Sequence, residues 1–315
     1  MHIMSNSEPS WEWYRTFLQV LATGSLSGAA RAMGMTQPTA GRHIDALEAS
    51  LGVTLFTRTH DGFAPTDVAR ELEPYAVNLA SNAAALRRTA SGYGTAIRGS
   101  VRLSASEVIG VEVLPPILAA LRARHRELRI ELVLSNAPDD LLRREADIAV
   151  RMFRPEQAAL LVRRVGAIEV GLYARADYLA REGMPESLEA LGRHATIGFD
   201  QETAFIRALQ QRHGESLRRD TFSLRTDSDL AHLAAIRAGF GVGFCQCHLA
   251  ARTPQVVRVL ADAFVLKMDT WIAMHENLRG SPRCMVVFNA LAEGLKSYIE
   301  HGADAPQVSI GPETG

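Results

Sequence analysis

Between Thr36 and His43 the chain reads TQPTAGRH, placing amide, hydroxyl, guanidinium and imidazole groups at the head of an apolar repeat. Ala40, Ile44, Leu47 and Leu51 recur at spacings of four, three and four, which marks the face that a helix buries. The opposite side then presents Pro38, Thr39 and Arg42, with Gln37 and His43 at its flanks. A glutamine amide can pair with the edge of a base, while Thr39 and Arg42 can reach bases or phosphates. Thr36 suits an N-cap, and Pro38 is tolerated in a first turn, where its missing N–H has no intrahelical partner to lose.

A second set of residues with chemical potential falls at the ends of β-like runs. Ser104, Ser106 and Glu107 follow VRL, Asn136 follows ELVLS and Arg151 follows DIAV. Further along, Phe199 follows TIG, Thr226 and Asp227 follow FSLR, and Phe244 follows GVG. In open α/β sheets a ligand sits off the carboxyl ends of the strands, so these positions are expected to converge. Two acids, one arginine and neutral hydrogen-bonding groups suit a small polar ligand, for which a carboxylate on Arg151 is one choice, with Phe199 and Phe244 covering an apolar part. The alternative is structural: Ser106 and Ser228 cap helices, and Arg151 locks Glu107 or Asp227 in a buried pair. Cys245, Cys247 and His248 lie close together, but no fourth ligand is in sight, so buried thiols are expected and no metal or other cofactor. The sequence holds no G-x-S-x-G, H-E-x-x-H, P-loop or G-x-G-x-x-G at a strand-to-helix turn, and a role other than catalysis is expected.

The elements that must position these residues are legible in outline. A chain of 315 residues with 47% hydrophobic and 22% charged residues suits two or three globular domains. Its formal net charge of −1 makes the whole molecule no polycation, so any nucleic-acid contact must come from a local arrangement. Three cysteines, no secretion-type leader and no long uninterrupted apolar run predict a cytoplasmic protein with no membrane partner. From Trp11 to about Thr66 the text is helical with short breaks. Ala29, Ala30 and Met33 form the apolar side of one short helix, which Gly34 should end in a left-handed conformation. TLFTR, a polar turn and then Phe63 and Pro65 predict a small wing. A longer helix follows over 67–90, in which Leu72, Ala76, Leu79, Ala83 and Leu86 step by four, three, four and three. That heptad seam predicts pairing of two chains, the alternative being an internal packing face. Residues 91–100 read as a Gly-rich hinge, and 303–315 as a flexible tail. Between them, short β-rich runs alternate with helical ones, arguing for α/β architecture with largely parallel sheets in two small lobes.

The stretch FLQVLATGSLSGAARAMGMTQPTAGRHIDALEASLGVTLFTRTHDGFAPT resembles the winged helix-turn-helix of LysR-type transcriptional regulators. Gly24-Ser25-Leu26, Ala29-Ala30, Gln37-Pro38, Arg42, Ile44, Leu47-Glu48, Leu51-Gly52 and Leu55-Phe56-x-Arg58 carry the likeness. The resemblance implies an N-terminal all-α winged helix-turn-helix domain over 1–66 and a linker dimerisation helix over 67–90. A two-lobed α/β effector domain like those of periplasmic binding proteins would follow over 101–302, with lobe I at about 101–164 and 268–302 and lobe II at about 165–267. It implies a double-stranded DNA operator contacted by Ser27, Thr36, Gln37, Pro38, Thr39, Arg42, His43 and Arg58, and dimerisation through Leu72, Leu79 and Leu86. A small-molecule effector between the lobes, a homodimer or homotetramer and RNA polymerase complete the implied partners. Gly41 stands where the family usually has Ser, Asp61 where a basic wing residue is common, and Gln246 where many members have Pro. A rival of another class, a solute-binding protein or small-molecule enzyme of the same two-lobed fold, would call for an export signal, which is not expected here.

Overall fold

A computed structural model of the chain describes residues 8–59, 62–90, 97–136, 146–155, 159–214 and 217–302. Two compact units are present, one holding Met1–Arg87 and the other Arg88–Leu142 and Ala146–Gly315.

In the first unit, α1 (Trp11–Thr23), α2 (Leu26–Met33) and α3 (Gln37–Leu51) precede a hairpin of β1 (Phe56–Thr59) and β2 (Gly62–Pro65). Helix α4 (Asp67–Ala90) follows, with Pro74 inside it. The breaks between the helices are specified locally. Gly24 and Gly34 end α1 and α2 in the left-handed region, at φ 65° and 67°, where a side chain would be strained. Ser25 caps α2 by accepting the Gly28 N–H at 3.1 Å. Thr36 stands at the N-cap position of α3 with an extended backbone, but its side chain makes no cap bond; its hydroxyl pairs with that of Thr39 at 2.9 Å instead. Ala29, Ala30, Ala40, Ile44 and Leu47 pack with Phe17, Val20, Leu55 and Phe56 into one core. Burying Ile44 or Leu47 is worth about 1.5–3 kcal/mol each. Leu51, expected on that face, is 36% exposed, lining an apolar groove with Tyr14 of α1 and Leu72 and Tyr75 of α4.

The second unit is built on a seven-stranded sheet in the order β10-β6-β11-β5-β3-β4, with β9 paired to β6. Its strands are β3 (Gly99–Ala105), β4 (Leu128–Leu134), β5 (Ile148–Arg151), β6 (Leu160–Arg175), β9 (Gly243–Gln246), β10 (Val256–Val259) and β11 (Leu266–His275). A separate parallel pair joins β7 (Ile197–Gly198) and β8 (Leu224–Arg225). The expectation of largely parallel sheets is corrected here. In the large sheet only β3 runs parallel to its neighbours β4 and β5, whereas β6, β9, β10 and β11 pair antiparallel. The cause is β6, a 16-residue strand against which three later strands return. Its first half is hard to see in the sequence because Arg163, Arg164 and Gly166 interrupt the apolar run.

Helices α5 (Leu114–Arg124), α6 (Ala176–Glu182), α7 (Ala204–His213), α8 (Asp229–Ala238), α9 (Cys247–Ala251) and α10 (Pro282–His301) flank the sheets. Leu103, Ile148, Leu121, Ile272 and Leu291 sit in one core, while Leu172, Ala174, Leu209, Val259 and Phe264 sit in another. Strand β6 feeds both, lending Ile168 to the first and Leu172 to the second. Leu233, Ile236, Cys245 and Leu249 join the first core, although they lie within 165–267 in sequence. Among the described residues no helix is long and apolar enough to cross a membrane.

Candidate functional site

The head of α3 is open. Thr36, Gln37, Pro38 and Arg42 are exposed, Ser27 and Thr39 half-buried. Arg42 Nη2 donates to Thr39 Oγ1 at 3.4 Å, and the Thr36 and Thr39 hydroxyls meet, so these groups touch chiefly one another. His43 stands half-buried at the flank of α3. Thr16 gives its one hydroxyl proton to the Glu12 carbonyl at 2.9 Å, so the 2.9 Å contact between Thr16 Oγ1 and His43 Nδ1 is a donation from the imidazole. That ring is occupied in tying α1 to α3, because its flank position turns it toward the helix that α3 crosses. Glu48, recognised in the sequence only as part of the family likeness, fixes the hairpin. Its Oε1 accepts the N–H groups of Leu55 at 2.6 Å and Phe56 at 3.1 Å. Arg58 lies on β1 opposite Phe63, and Asp61 lies outside the described residues.

On α4 the apolar row divides. Ala76 is buried and Leu72 half-buried against the helix-turn-helix core, whereas Leu79 and Leu86 are 42% and 71% exposed.

In the second unit the strand-end residues form two groups. Glu107, at the end of the loop leaving β3, accepts a hydrogen bond from the Ser228 hydroxyl at 2.7 Å. Its backbone N–H donates to Asn136 Oδ1 at 3.1 Å, and the Asn136 side-chain amide bonds to Asp229. Burial and the neighbouring Glu107 carboxylate push the Asp229 carboxyl up to about 6, against the bond from Asn136. Ser228 also caps α8 by accepting the Ala231 N–H at 3.3 Å, and Thr226 Oγ1 accepts the N–H of Ser228 at 3.2 Å. The Ser106 hydroxyl oxygen is buried and has no hydrogen-bond partner among the described residues. A short π-helical turn, Ile109–Val113, follows, and its Glu112 carboxylate takes two hydrogen bonds from Arg237 at 2.7 and 3.2 Å. That bonding, outweighing burial, holds the Glu112 carboxyl below its usual range.

The second group is aromatic. Phe199 and Phe244 stack with ring centroids 5.7 Å apart, and His232 packs on both. His232 Nε2 accepts the Phe244 N–H at 2.9 Å, so that nitrogen is unprotonated, and burial pushes the imidazole down to about 4. The reading of strand ends missed Asp229, His232 and Glu112. A usable signal lay on α8, where Ser228 and His232 stand four residues apart and so share a face.

Two expected members stand apart from these groups. Arg151 is 2% exposed; its guanidinium donates to Ser104 Oγ at 2.8 Å and to the Val150 carbonyl at 2.9 Å. It therefore joins β3 to β5 inside the sheet, where β11 covers it on the third side, and the bonds seen are not to Glu107 or Asp227. Asp227 accepts the N–H groups of Asp200 and Gln201, both at 3.0 Å, which commits it to the turn after β7. Cys247 Sγ donates to Glu169 at 3.6 Å and His248 Nε2 to the Ile299 carbonyl at 3.1 Å, while burial pushes the Cys245 thiol up to about 12. Among the described residues no three metal-ligating side chains converge.

The family described as the LysR substrate binding domain matches residues 94–296, and that described as the bacterial regulatory helix-turn-helix protein, lysR family, matches residues 11–70. The chain belongs to the LysR family. An HTH-type transcriptional regulator, CrgA of Neisseria meningitidis serogroup C, is 28% identical over 185 residues, or 59% of this chain. That alignment spans 62% of the CrgA length. The full-length Vibrio cholerae virulence activator AphB superposes with a TM-score of 0.60 at 20% identity, over 90% of this chain and 99% of that one. Full-length CbnR, solved in complex with its target DNA, superposes with a TM-score of 0.64 at 17% identity, over 90% and 99%. These likenesses carry the fold: an N-terminal helix-turn-helix and a mixed α/β substrate-binding domain.

Proposed function

We propose that this LysR-family chain is a transcriptional regulator that binds a double-stranded DNA operator through the head of α3 and the β1–β2 hairpin. A small molecule bound by the second unit sets its activity. The observation that carries this reading is the open head of α3, where Gln37, Pro38 and Arg42 face solvent beside a hairpin clamped by Glu48. A helix presented by its N-terminal turn is the usual way into a major groove. The solved CbnR–DNA complex supports the same reading by fold. Arg58, on the hairpin, and Ser27, in the second helix, are assigned to the same DNA surface. His43 supports it from behind. The protein acts by binding rather than by catalysis, in the cytoplasm, with RNA polymerase as a further partner at the promoter.

Leu79 and Leu86, left open on α4, are the assigned contacts of a homodimer, which a tetramer would extend through the second unit. For the effector, Ser106, Glu107, Asn136 and Thr226 with Phe199 and Phe244 are the assigned lining, and Ser104, Arg151 and Asp227 serve as its scaffold. An effector changes the regulator only if it prefers one arrangement of these groups over another, for instance by replacing the Glu107–Ser228 bond. DNA binding is tested by Arg42→Ala in the full chain: operator affinity falls while the thermal midpoint holds. Unchanged affinity with an unchanged salt slope would remove α3 from the interface. Dimerisation is tested by Leu79→Asp, which places a charge in the seam; an unchanged sedimenting mass would make the seam internal packing.

A further inference from the structure

We infer that the second unit carries its own DNA-backbone contact, a basic patch where α5 ends and β3 and β4 begin. This inference rests on the DNA-binding reading above and extends it to a surface outside the helix-turn-helix.

Arg98, Arg122, Arg124, Arg126 and Arg129 are all exposed. No side-chain ion pair or hydrogen bond holds any of the five among the described residues, in contrast to Arg164, Arg219, Arg237 and Arg258 of the same unit, each of which holds an acid. The register brings the five together. Gly99 pairs with Leu128 and Ser100 with Arg129, and the Gly99 N–H donates to the Glu127 carbonyl at 3.2 Å. Arg98 therefore lies beside the Arg126–Arg129 segment, while Arg122 and Arg124 occupy the last turn of α5 just before it. In the segment from Arg122 to Glu131, Glu131 is held by Arg102 at 3.3 Å, which leaves Glu127 as the acid of that segment set among four arginines.

A helix C-terminus attracts cations, and that accounts for Arg122 and Arg124. It does not account for Arg98, Arg126 and Arg129, which lie off the helix. Free energy is lost when like charges crowd without counterions, so such a cluster is suited to a polyanion. Spaced exposed guanidinium groups at a strand-and-helix end suit the repeated phosphates of a duplex, a contact that carries no sequence information. Because Arg98 follows the first unit, which ends at Arg87, by eleven residues of the same chain, DNA held by the first unit is the polyanion present at highest local concentration.

The test uses the full chain and a long random-sequence duplex across a salt series. In the variant Arg124→Ala/Arg126→Ala/Arg129→Ala, affinity should fall about tenfold or more at low salt, and the slope of log affinity on log salt should shrink by roughly two to three. A control at scattered exposed arginines, Arg193→Ala/Arg207→Ala/Arg212→Ala, should change neither. If the triple variant keeps the wild-type slope while Arg42→Ala weakens binding, the patch is not a DNA contact and the helix-turn-helix reading stands. If wild type binds no duplex at all, both readings fail. Loss of binding to poly-glutamate with duplex binding unchanged would reassign the patch to an acidic polypeptide.

Discussion

The head of α3 and the strand-end cluster around Glu107 are built from similar residue types and are held in opposite ways. On α3 the polar groups face solvent, and Arg42 has only the Thr39 hydroxyl for company. Around Glu107, where Glu107, Ser228 and Asp229 are half-buried, the groups satisfy one another: Ser228 on Glu107, and Asn136 on Asp229 and on the Glu107 N–H; deeper in the sheet, Arg151 and Ser104 are buried on each other. The difference follows from solvent. An exposed group loses little by waiting for DNA, because water satisfies it meanwhile. A group inside a folded lobe has no such substitute and must be paired within the protein, at a cost of about 1–3 kcal/mol when it is not. A recognition surface is thus free to be read from exposure, while a half-buried polar cluster shows itself as a network of internal bonds that a ligand would have to take apart.

That contrast can be broken most directly by comparing two arginines. Arg151→Ala is expected to destabilise the second unit by about 3 kcal/mol, since it removes a buried guanidinium and leaves Ser104 and the Val150 carbonyl without their donor. Arg42→Ala is expected to move stability by no more than about 0.5 kcal/mol. Urea unfolding of both variants decides the matter, and equal costs would end the distinction. Next in size is Glu48→Ala, which takes the acceptor from two hairpin N–H groups at a cost of about 2 kcal/mol. Glu48→Gln, which keeps an oxygen in place, should recover most of it.

A smaller effect is expected from pH. His232 is held down to about 4 against an ordinary 6.5, so as pH falls from 6.5 toward 4 the unfolded chain binds the extra proton and stability is lost. Asp229 is raised to about 6 from 3.8, so over the range from 6 down to 3.8 the folded chain binds the extra proton and stability is gained. The two effects oppose each other between about 6 and 4. Asp229→Asn should therefore steepen acid destabilisation in that window, read as the urea midpoint against pH; an unchanged profile would show that Asp229 titrates normally. The smallest expected change is in Ser106→Ala. With no partner for its hydroxyl among the described residues, the variant should lose no stability beyond about 0.5 kcal/mol, yet lose affinity for an effector identified by thermal shift of the full chain with small metabolites. A clear loss of stability would mean that the hydroxyl is bonded.

Much of the first unit was legible in the sequence because its determinants are local. A three-and-four apolar repeat, glycines at left-handed positions and a proline in a first turn act over a few residues each. His43 escaped that reading because its partner, Thr16, lies on another helix and helical periodicity cannot name it. In the second unit Phe199 and Phe244, both named from the sequence, do stack, although Phe244 lies inside β9 rather than at its end, because the strand begins later than the GVG run suggests. What the sequence did not disclose were pairings across long separations: Glu107 with Ser228, Asn136 with Asp229, Glu112 with Arg237. The parallel-sheet expectation failed for the same reason. Alternating strands and helices report connectivity, while strand direction is decided by how a long strand such as β6 is met by later ones.

Strand β6 has one more implication. It is hydrogen-bonded to β11 over roughly 33 Å, from Leu266–Val170 to His275–Leu160, with a single slip in register at Thr270–Trp271 beside Gly166. Gly166 has φ of 151°, and a Cβ there would press to 3.1 Å of Ile299 on α10. Two cores threaded on one unbroken ribbon have few ways to move. Bending or sliding would break the ladder's hydrogen bonds. The slipped step lies on the first core's side of Ile168, so the stretch from Ile168 to Leu172 that joins the two cores is regular ladder, and a displacement of one core is passed to the other through backbone hydrogen bonds.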